Sequence, residues 1–549
     1  MQVMKREAEI YVNQIGYLPD ENKYAYISRS DYEEVCGKNE SCGQKNPDSA
    51  KKEFSVVEKE SGKILYTGTL KEKPEDRASG EAYYYADFSD FKGLEENQLF
   101  YIEISGAKSF AFRIARNIYD SLYFSTLNFF KLSRCGQGVC HTGKALVYGS
   151  QEKKDVQGGW HDAGDYGRYI VAGAKTVMDL LLAYECSKNT FRAFDILDEV
   201  RFELEWMLQM QREDGAVYHK ISCYHFCAFI NPEDEKDEIV LAPVSTSATA
   251  DFAGTLAYAA SYYKASDPAF SEKLLKAALL AQSYLDCHED ELYTNPPEIK
   301  TGGYGDRDVS DERYFALASL FAATKKSEYF EKAMEIRRNK EAEVPVEGEP
   351  WRGWHESYGW GSVSGYGTEI LLKNQDLILQ RQNGKELLED LKSYYLKEAE
   401  VFLNTSKNSV FGTDLSHFSW GSNGAVCDAA HVMLVAYSLT GKKDLYEACK
   451  RQISYILGCN PLNFCYISGF GSKNPVQPHH RPSIASGKIM PGMLAGGPCE
   501  WLADDFAKKK LQNRSPLKCY IDAVPSYSTN EIAIYWNSAF IYLLATLYF

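Results

Sequence analysis

The segment GGWHDAGDYGRYI, residues 158–170, sets two carboxylates three positions apart. Asp162 and Asp165 are separated only by Ala163 and Gly164, with Trp160 and His161 before them and Tyr166 and Tyr169 after. Asp and Gly are common turn formers, so a DxxD alone is satisfied by a plain turn. Near the C-terminus, YIDAVPSYSTNEIAIYWNSAF holds a third carboxylate, Glu531, ahead of an apolar helical pattern and among Tyr527, Tyr535, Trp536 and Asn537. A glutamate at a helix start is, taken alone, a common capping feature. Taken together, the three carboxylates suit a specific chemistry. Cleaving a glycosidic bond needs a protonated carboxylic acid at the leaving oxygen and an ionised carboxylate across the ring that activates water or attacks. Aromatic surroundings desolvate a glutamate and raise its pKa, which suits the acid. Two aspartates in a polar, glycine-hinged loop suit the ionised partner. Trp and Tyr rings also offer flat surfaces on which the apolar faces of pyranose rings stack.

The elements that must position these residues change character along the chain. Segments such as KYAYISRS, EFSVVEKESGKILYTGTL, AYYYADFSDF and QLFYIEISGAKSFAFRIA are short, rich in Tyr, Phe, Val and Ile, and separated by Gly, Asp, Asn and Ser. That pattern predicts a small antiparallel β-sandwich over residues 1–115. From 116 to 549 the period is helical, in stretches such as AKTVMDLLLAYEC, TADFAGTLAYAASYYKA and AVCDAAHVMLVAYSLTG. Ser310 is a candidate cap for the helix beginning DERYF, and Gly441 and Gly458 sit where C-terminal glycines belong. No 34-residue repeat is visible, which argues against a solenoid. Long loops carrying Trp, Tyr, His, Asp and Gly alternate with the helices, which predicts a helical barrel or toroid whose active face is built from loops.

At 549 residues the chain exceeds one small core, and its net charge of -15 opposes binding to nucleic acid or to an anionic membrane surface. The run AFIYLLATLYF is about half the length a membrane span needs and reads as a buried terminal helix. No apolar run resembling a signal peptide opens the sequence. The 14 cysteines are scattered rather than framed as disulfides. A cytoplasmic location with reduced thiols is therefore expected, although a trimmed N-terminus would look the same.

The motifs also carry a family likeness. GGWHDAGDYGRY resembles the nucleophile-side motif of glycoside hydrolase family 9, the inverting cellulase family. YIDAVPSYSTNEIAIYWNSA resembles its C-terminal signature through Asp522, Tyr527, Glu531, Ala533, Asn537 and Ser538. CYISGFGSKNPVQPHHR resembles its His-x-Arg signature through Gly471, Lys473, Pro478, His479 and Arg481, with Cys465 where Ser, Thr or Val is usual. FSWGSNGA, with Trp420 and Asn423, looks like another family segment, and IYVNQIGYLPD resembles the start of the immunoglobulin-like domain of one branch. The resemblance implies a mainly α protein: an (α/α)6-barrel catalytic domain preceded by a small immunoglobulin-like β-sandwich. It implies Asp165 as general base, Asp162 as its helper in holding the water and Glu531 as general acid. His479 and Arg481 would bind sugar hydroxyls, although a loop-anchoring network is the plainer role for both. Trp420 is a stacking candidate whose alternative is core packing. Trp354, Trp360, Tyr304 and Tyr527 complete the expected substrate-binding set.

Cys135, Cys140, His141 and His161 make a tetrahedral zinc set, and the same branch often carries a structural zinc there. His219, Cys223, His225 and Cys227 form a rival cluster in HKISCYHFC. Acidic loops such as YGDRDVSDE could hold calcium, which the family often binds, but they lack the spacing of a known calcium loop and no ligands are assigned. The activity expected is inverting hydrolysis of β-1,4 bonds in soluble cello-oligosaccharides, a cellodextrinase. The alternatives are an endo-β-1,4-glucanase, an exo-β-glucosaminidase and a non-catalytic carbohydrate-binding protein. Retention of all three carboxylates speaks against the last.

Overall fold

The computed structural model of the chain describes residues 8–38, 52–93, 97–136, 144–187, 195–343 and 354–549. The N-terminal part is a sandwich of two sheets. One runs in the order Ile10–Tyr11, Tyr24–Ser28, Glu81–Asp87, Lys71–Asp76. The other runs Gly16–Tyr17, Phe112–Ile114, Leu99–Ile104, Glu53–Glu58, Ile64–Thr69, with Ala107–Lys108 beside Leu99–Ile104. The pairing is antiparallel except between Phe112–Ile114 and Gly16–Tyr17. Alternation sets the faces: in Leu99–Ile104, Phe100, Ile102 and Ile104 are buried while their neighbours are partly open. They join Ile10, Ile27 and Val56 in a core separate from that of the helical part.

Two concentric rings of helices follow. The inner ring is Ile170–Ser187, Thr246–Tyr263, Ser310–Thr324, Ser364–Lys373, Ser422–Thr440 and Ile534–Tyr548, and the outer ring is Asp120–Ser133, Ile196–Gln209, Pro268–Cys287, Ser327–Glu341, Gly384–Asn408 and Lys443–Ile456. Six plus six gives the (α/α)6 barrel. The rings differ in sequence for a physical reason. An inner helix is enclosed on nearly every side, so Thr246–Tyr263 is rich in Ala and small polar residues, and a Cβ on Gly254 would lie 2.6 Å from the Phe315 ring. An outer helix needs one apolar stripe: Lys443–Ile456 buries Leu445, Ala448, Cys449, Gln452, Ile453 and Ile456 at three- and four-residue spacing. Polar pins cross the inner ring. Lys175 Nζ lies 2.8 Å from Asp179 and 2.9 Å from Asp428, and Asp179 also accepts from Tyr366 and Ser538 hydroxyls. The last helix is an inner strut, and among the described residues no helix is long and apolar enough to cross a membrane.

Two helix ends test the cap reading. Gly441 takes the left-handed conformation after Ser422–Thr440, φ 69°, as expected. Ser310 is not the cap expected of it: the helix begins at Ser310 itself, and Asp308 Oδ1 accepts its backbone N–H at 3.1 Å. A third sheet, not foreseen, lies at one end of the barrel in the order Lys153–Asp155, Lys144–Val147, Ile239–Leu241, Lys220–Cys223, Arg168–Tyr169. It carries the loops of the site. The sandwich also grips that end. Gln14 Nε2 donates to Asn463 O at 2.8 Å, and its Oε1 accepts from Ser472 N and Lys473 N at 2.8 and 3.0 Å, on the loop that leads to His479.

Candidate active site

The loop of Asp162 and Asp165 is fixed from behind before it reaches the cleft. Trp160 is buried, its backbone N–H bonded to Glu203 at 2.7 Å and its indole N–H to Glu199 at 2.9 Å. Glu199 is in turn held by Arg134. Asp162 N–H reaches Gly167 O, and Asp162 O accepts from Ile534 N–H at 2.8 Å, at the start of the last inner helix. Both aspartates are consequently buried. Asp165 Oδ2 accepts from Tyr169 O–H at 3.0 Å and Gly167 N–H at 3.1 Å. Asp162 Oδ2 accepts from Tyr304 O–H at 2.6 Å, while its buried Oδ1 takes no hydrogen bond from the described protein.

Glu531 follows the short helix Tyr527–Asn530. Its backbone bridges His479, and its O accepts from Gly496 N–H at 2.9 Å. Its Oε1 accepts from Gly164 N–H at 3.3 Å, which joins the C-terminal carboxylate to the loop between the two aspartates. Gly164 has a role other than tight turning. A Cβ there would lie 2.5 Å from His479 O and 3.0 Å from Glu531 Oε1, so only glycine lets the two segments close.

Burial dominates the electrostatics. It pushes Glu531 up to about 8, helped by the Asp165 and Asp162 charges and opposed by Gly164 N–H and Arg481. Glu531 therefore keeps its proton at neutral pH. Burial and the neighbouring Asp165 also hold Asp162 well above the usual carboxylate range, against the Tyr304 hydrogen bond. This departs from the expectation of two ionised aspartates, because the loop is enclosed rather than polar and open. His479 is pushed down by burial, and its Nδ1–H donates to Val524 O at 2.7 Å, which leaves Nε2 as an acceptor.

A cleft of about 350 Å³ opens over these groups, lined by Asp162, Asp165 and Glu531 together with Tyr304, Trp360 and Trp420. That size suits a small ligand. Trp420 is 42% exposed and packs its ring 5.1 Å from Tyr527, itself 37% exposed, so core packing does not account for either. Trp360 meets Tyr304 edge-on at 4.9 Å. Two expected sugar contacts have other roles. Trp354 is 4% exposed, donates to Glu356 at 3.0 Å and packs on Tyr314 between helices, because its neighbours Tyr314 and Arg337 enclose it. Arg481 is buried: Nη1 donates to Gly164 O at 2.6 Å, Nε to Cys227 O at 2.9 Å, and Phe226 and Phe229 flank the guanidinium. It anchors the loop of Asp162 and Asp165, the plainer of the two roles considered for it. Tyr304 lines the cleft but its main contact is the bond to Asp162. Phe226 lines the cleft without any signal in the sequence, and Tyr535 and Trp536, which the sequence places beside Glu531, line it too. Glu199 and Glu203 were missed as well. The signal was two glutamates four apart on the face of Ile196–Gln209 that also buries Val200, Leu204 and Met207.

Of the proposed zinc ligands, Cys140 and His141 lie outside the described residues. The other two are brought side by side: Arg134 and Trp160 form an antiparallel bridge, Cys135 N–H bonds Gly159 O, and His161 N–H bonds Ser133 O. Among the described residues, no three His, Cys, Asp or Glu side chains are gathered as a metal cage. In the rival cluster His219 is occupied by Ser245 and Gly303, and His225 is exposed beside Asp237.

A glycoside hydrolase active site is the class these carboxylates and aromatic walls define. Residues 119–544 match the glycosyl hydrolase family 9 profile and residues 5–109 the cellulase N-terminal ig-like domain. The chain belongs to glycosyl hydrolase family 9. It is 33% identical to a cellodextrinase of Butyrivibrio fibrisolvens, over 98% of this chain and 99% of that protein. It is 32% identical to endoglucanase D of Acetivibrio thermocellus, over 98% of this chain and 83% of that protein. Among solved structures, a mutant of the thermostable endoglucanase of Alicyclobacillus acidocaldarius superposes with a TM-score of 0.84 at 30% identity, covering 98% of this chain and 99% of that one. The chain is an enzyme of the glycoside hydrolase class.

Proposed function

We propose that this enzyme hydrolyses β-1,4-glucosidic bonds of short soluble cello-oligosaccharides with inversion at the anomeric carbon. The observation that carries the reading is the Gly164 N–H bond to Glu531 Oε1, which seats a buried, protonated acid against the loop of the two aspartates. Glu531 gives its proton to the leaving oxygen as the glycosidic bond breaks. A water molecule adds to the anomeric carbon from the opposite face and loses a proton to Asp165. Both Tyr169 and Gly167 bind Asp165 Oδ2, so Oδ1 is the oxygen to take that proton. Asp162, beside it in the same loop, is assigned the task of holding that water. Since burial keeps Asp162 towards the neutral acid, it can bind the water without competing for its proton, and the base role falls to Asp165. Trp420, Tyr527 and Trp360 supply stacking faces and His479 Nε2 an acceptor for a sugar hydroxyl.

The match over nearly the full length of the Butyrivibrio fibrisolvens cellodextrinase favours oligosaccharides. The likeness to endoglucanase D supports longer glucans as the second reading. Reducing-sugar release from cellotetraose, carboxymethyl cellulose and chitosan oligomers, run side by side, separates them; preference for either of the latter two would overturn the oligosaccharide assignment.

A structural zinc would be held by Cys135 and His161 with Cys140 and His141, and would fix the chain immediately before Asp162. For calcium, the acidic loop YGDRDVSDE stays the proposed neighbourhood, with no ligands assigned.

A further inference from the structure

The dipeptide His219–Lys220 belongs to none of the roles above, yet it is buried against the site. Lys220 stands in the strand Lys220–Cys223, paired with Tyr169 across the sheet. Its Nζ donates to Thr301 Oγ1 at 2.9 Å and to Gly302 O, and sits 5.4 Å from the centre of the Tyr169 ring. His219 Nε2–H donates to Gly303 O at 2.9 Å, and its Nδ1 accepts from the Ser245 hydroxyl, which also caps the helix Thr246–Tyr263. The His219 ring stacks on Tyr293 at 3.6 Å. Three consecutive loop residues, 301–303, are thus held by two neighbouring side chains. The loop lies close against Tyr169: a Cβ on Gly302 would come within 3.0 Å of its hydroxyl. The next residue is Tyr304, held at φ 50°, a left-handed conformation that an aromatic side chain rarely adopts.

We infer that Lys220, assisted by His219, is the positioning residue for both aspartates. It acts on Asp162 by fixing the loop that presents the Tyr304 hydroxyl, and on Asp165 by backing Tyr169, whose hydroxyl holds Asp165. It is also the cation on the Asp165 side of the site. Glu531, Asp162, Tyr169, Tyr304 and Tyr535 face the pair from the other elements, Glu203 lies behind Trp160, and His479 is kept neutral by burial. Arg481, the other cation, spends its bonds on the carbonyls of Gly164 and Cys227. Burial pulls Lys220 down to about 7 while the Asp165 charge resists, so the two groups sense each other.

This inference rests on the reading of Asp165 as the base. The test is Lys220→Met in the full chain, assayed on cellotetraose across pH. The expected result is a fall in kcat/KM of about 10- to 100-fold, by analogy with the outer-shell partners that orient metal ligands, together with an acid limb moved to higher pH. The sign follows from charge: without the ammonium, negative charge in this pocket loses its neighbouring cation, so activity fails sooner as pH falls. A merely structural lysine would lower activity evenly across pH. Combined with Tyr304→Phe, the loss should be smaller than the product of the two single losses, because both act on Asp162. If Lys220→Met fails to fold, Thr301→Val removes one acceptor and keeps the charge. It should lower kcat without moving the acid limb, and unchanged kcat would count against the inference. Wild-type enzyme that cleaves cellotetraose, paired with a folded Lys220→Met of unchanged rate and pH profile, overturns this inference alone. Wild-type enzyme that cleaves no β-1,4-glucan overturns the functional reading and this inference with it.

Discussion

Gly164→Ala is the smallest change that should separate the two halves of the proposed catalytic machinery. The added Cβ would meet His479 O at 2.5 Å, His479 Cδ2 at 2.8 Å and Glu531 Oε1 at 3.0 Å. Ordinary contact begins near 3.4 Å, so the segments must part by close to an ångström at the carbonyl, which is backbone and cannot swing aside. Gly164 N–H would then lose Glu531, and Gly164 O would strain against Arg481, which binds it through both its backbone N–H and its guanidinium. Overpacking of this kind costs about 1–3 kcal/mol, which a barrel of this size survives. Misplacing catalytic groups by about 1 Å costs about 100-fold in rate. The expected outcome is a folded enzyme with near-normal circular dichroism and a KM for cellotetraose within a few fold of wild type, because Trp420 and Trp360 stay in place. Its kcat should be down about 100-fold. A well-folded Gly164→Ala with kcat within threefold of wild type would refute the claim that the close approach at Gly164 joins acid to base.

The aromatic assignments separate cleanly: Trp420→Ala should raise KM for cello-oligosaccharides several-fold with little change in thermal midpoint, whereas Trp354→Ala should lower the midpoint, a buried Trp truncation costing about 3–5 kcal/mol, and steady-state kinetics beside thermal melts will tell them apart. Because Glu531 must hold a proton and sits at about 8, kcat/KM should decline as pH rises through about 8, and a profile still flat at two units higher would contradict that acid. Prolonged chelation should strip a structural zinc, lower the melting temperature and reduce activity through the adjoining loop; metal analysis that finds no zinc in freshly purified protein would remove the site.

The carboxylates proposed as catalytic are legible because their neighbours in sequence announce them: the DAGD loop and the Glu531 segment carry their aromatics locally. The sandwich and the barrel were legible because strand alternation and helical period are local properties too. What escaped depends on partners far apart in the chain. Arg481 meets Gly164 and Cys227 across more than two hundred residues, so nothing local distinguishes a guanidinium bound to loop carbonyls from one open to sugar. Trp354 and Trp420 look alike in sequence, and only the arrangement of helices decides that one is enclosed by Tyr314 and Arg337 and the other overhangs the cleft. Gly164 was expected to serve a turn, yet its need is the space that His479 and Glu531 take up. Enclosure of the loop also reverses the expected state of Asp162, since burial is a property of the fold and not of the motif.

The central claim is that Asp165 activates water and does not attack the sugar. Two carboxylates that admit a water stand about 6.5–9.5 Å apart, whereas a nucleophile and its acid stand about 5–5.5 Å apart, and the two arrangements give opposite anomers. Proton NMR of the earliest product from cellotetraose decides between them. The account predicts that the α-anomer appears first and mutarotates afterwards; a β-anomer appearing first would contradict it.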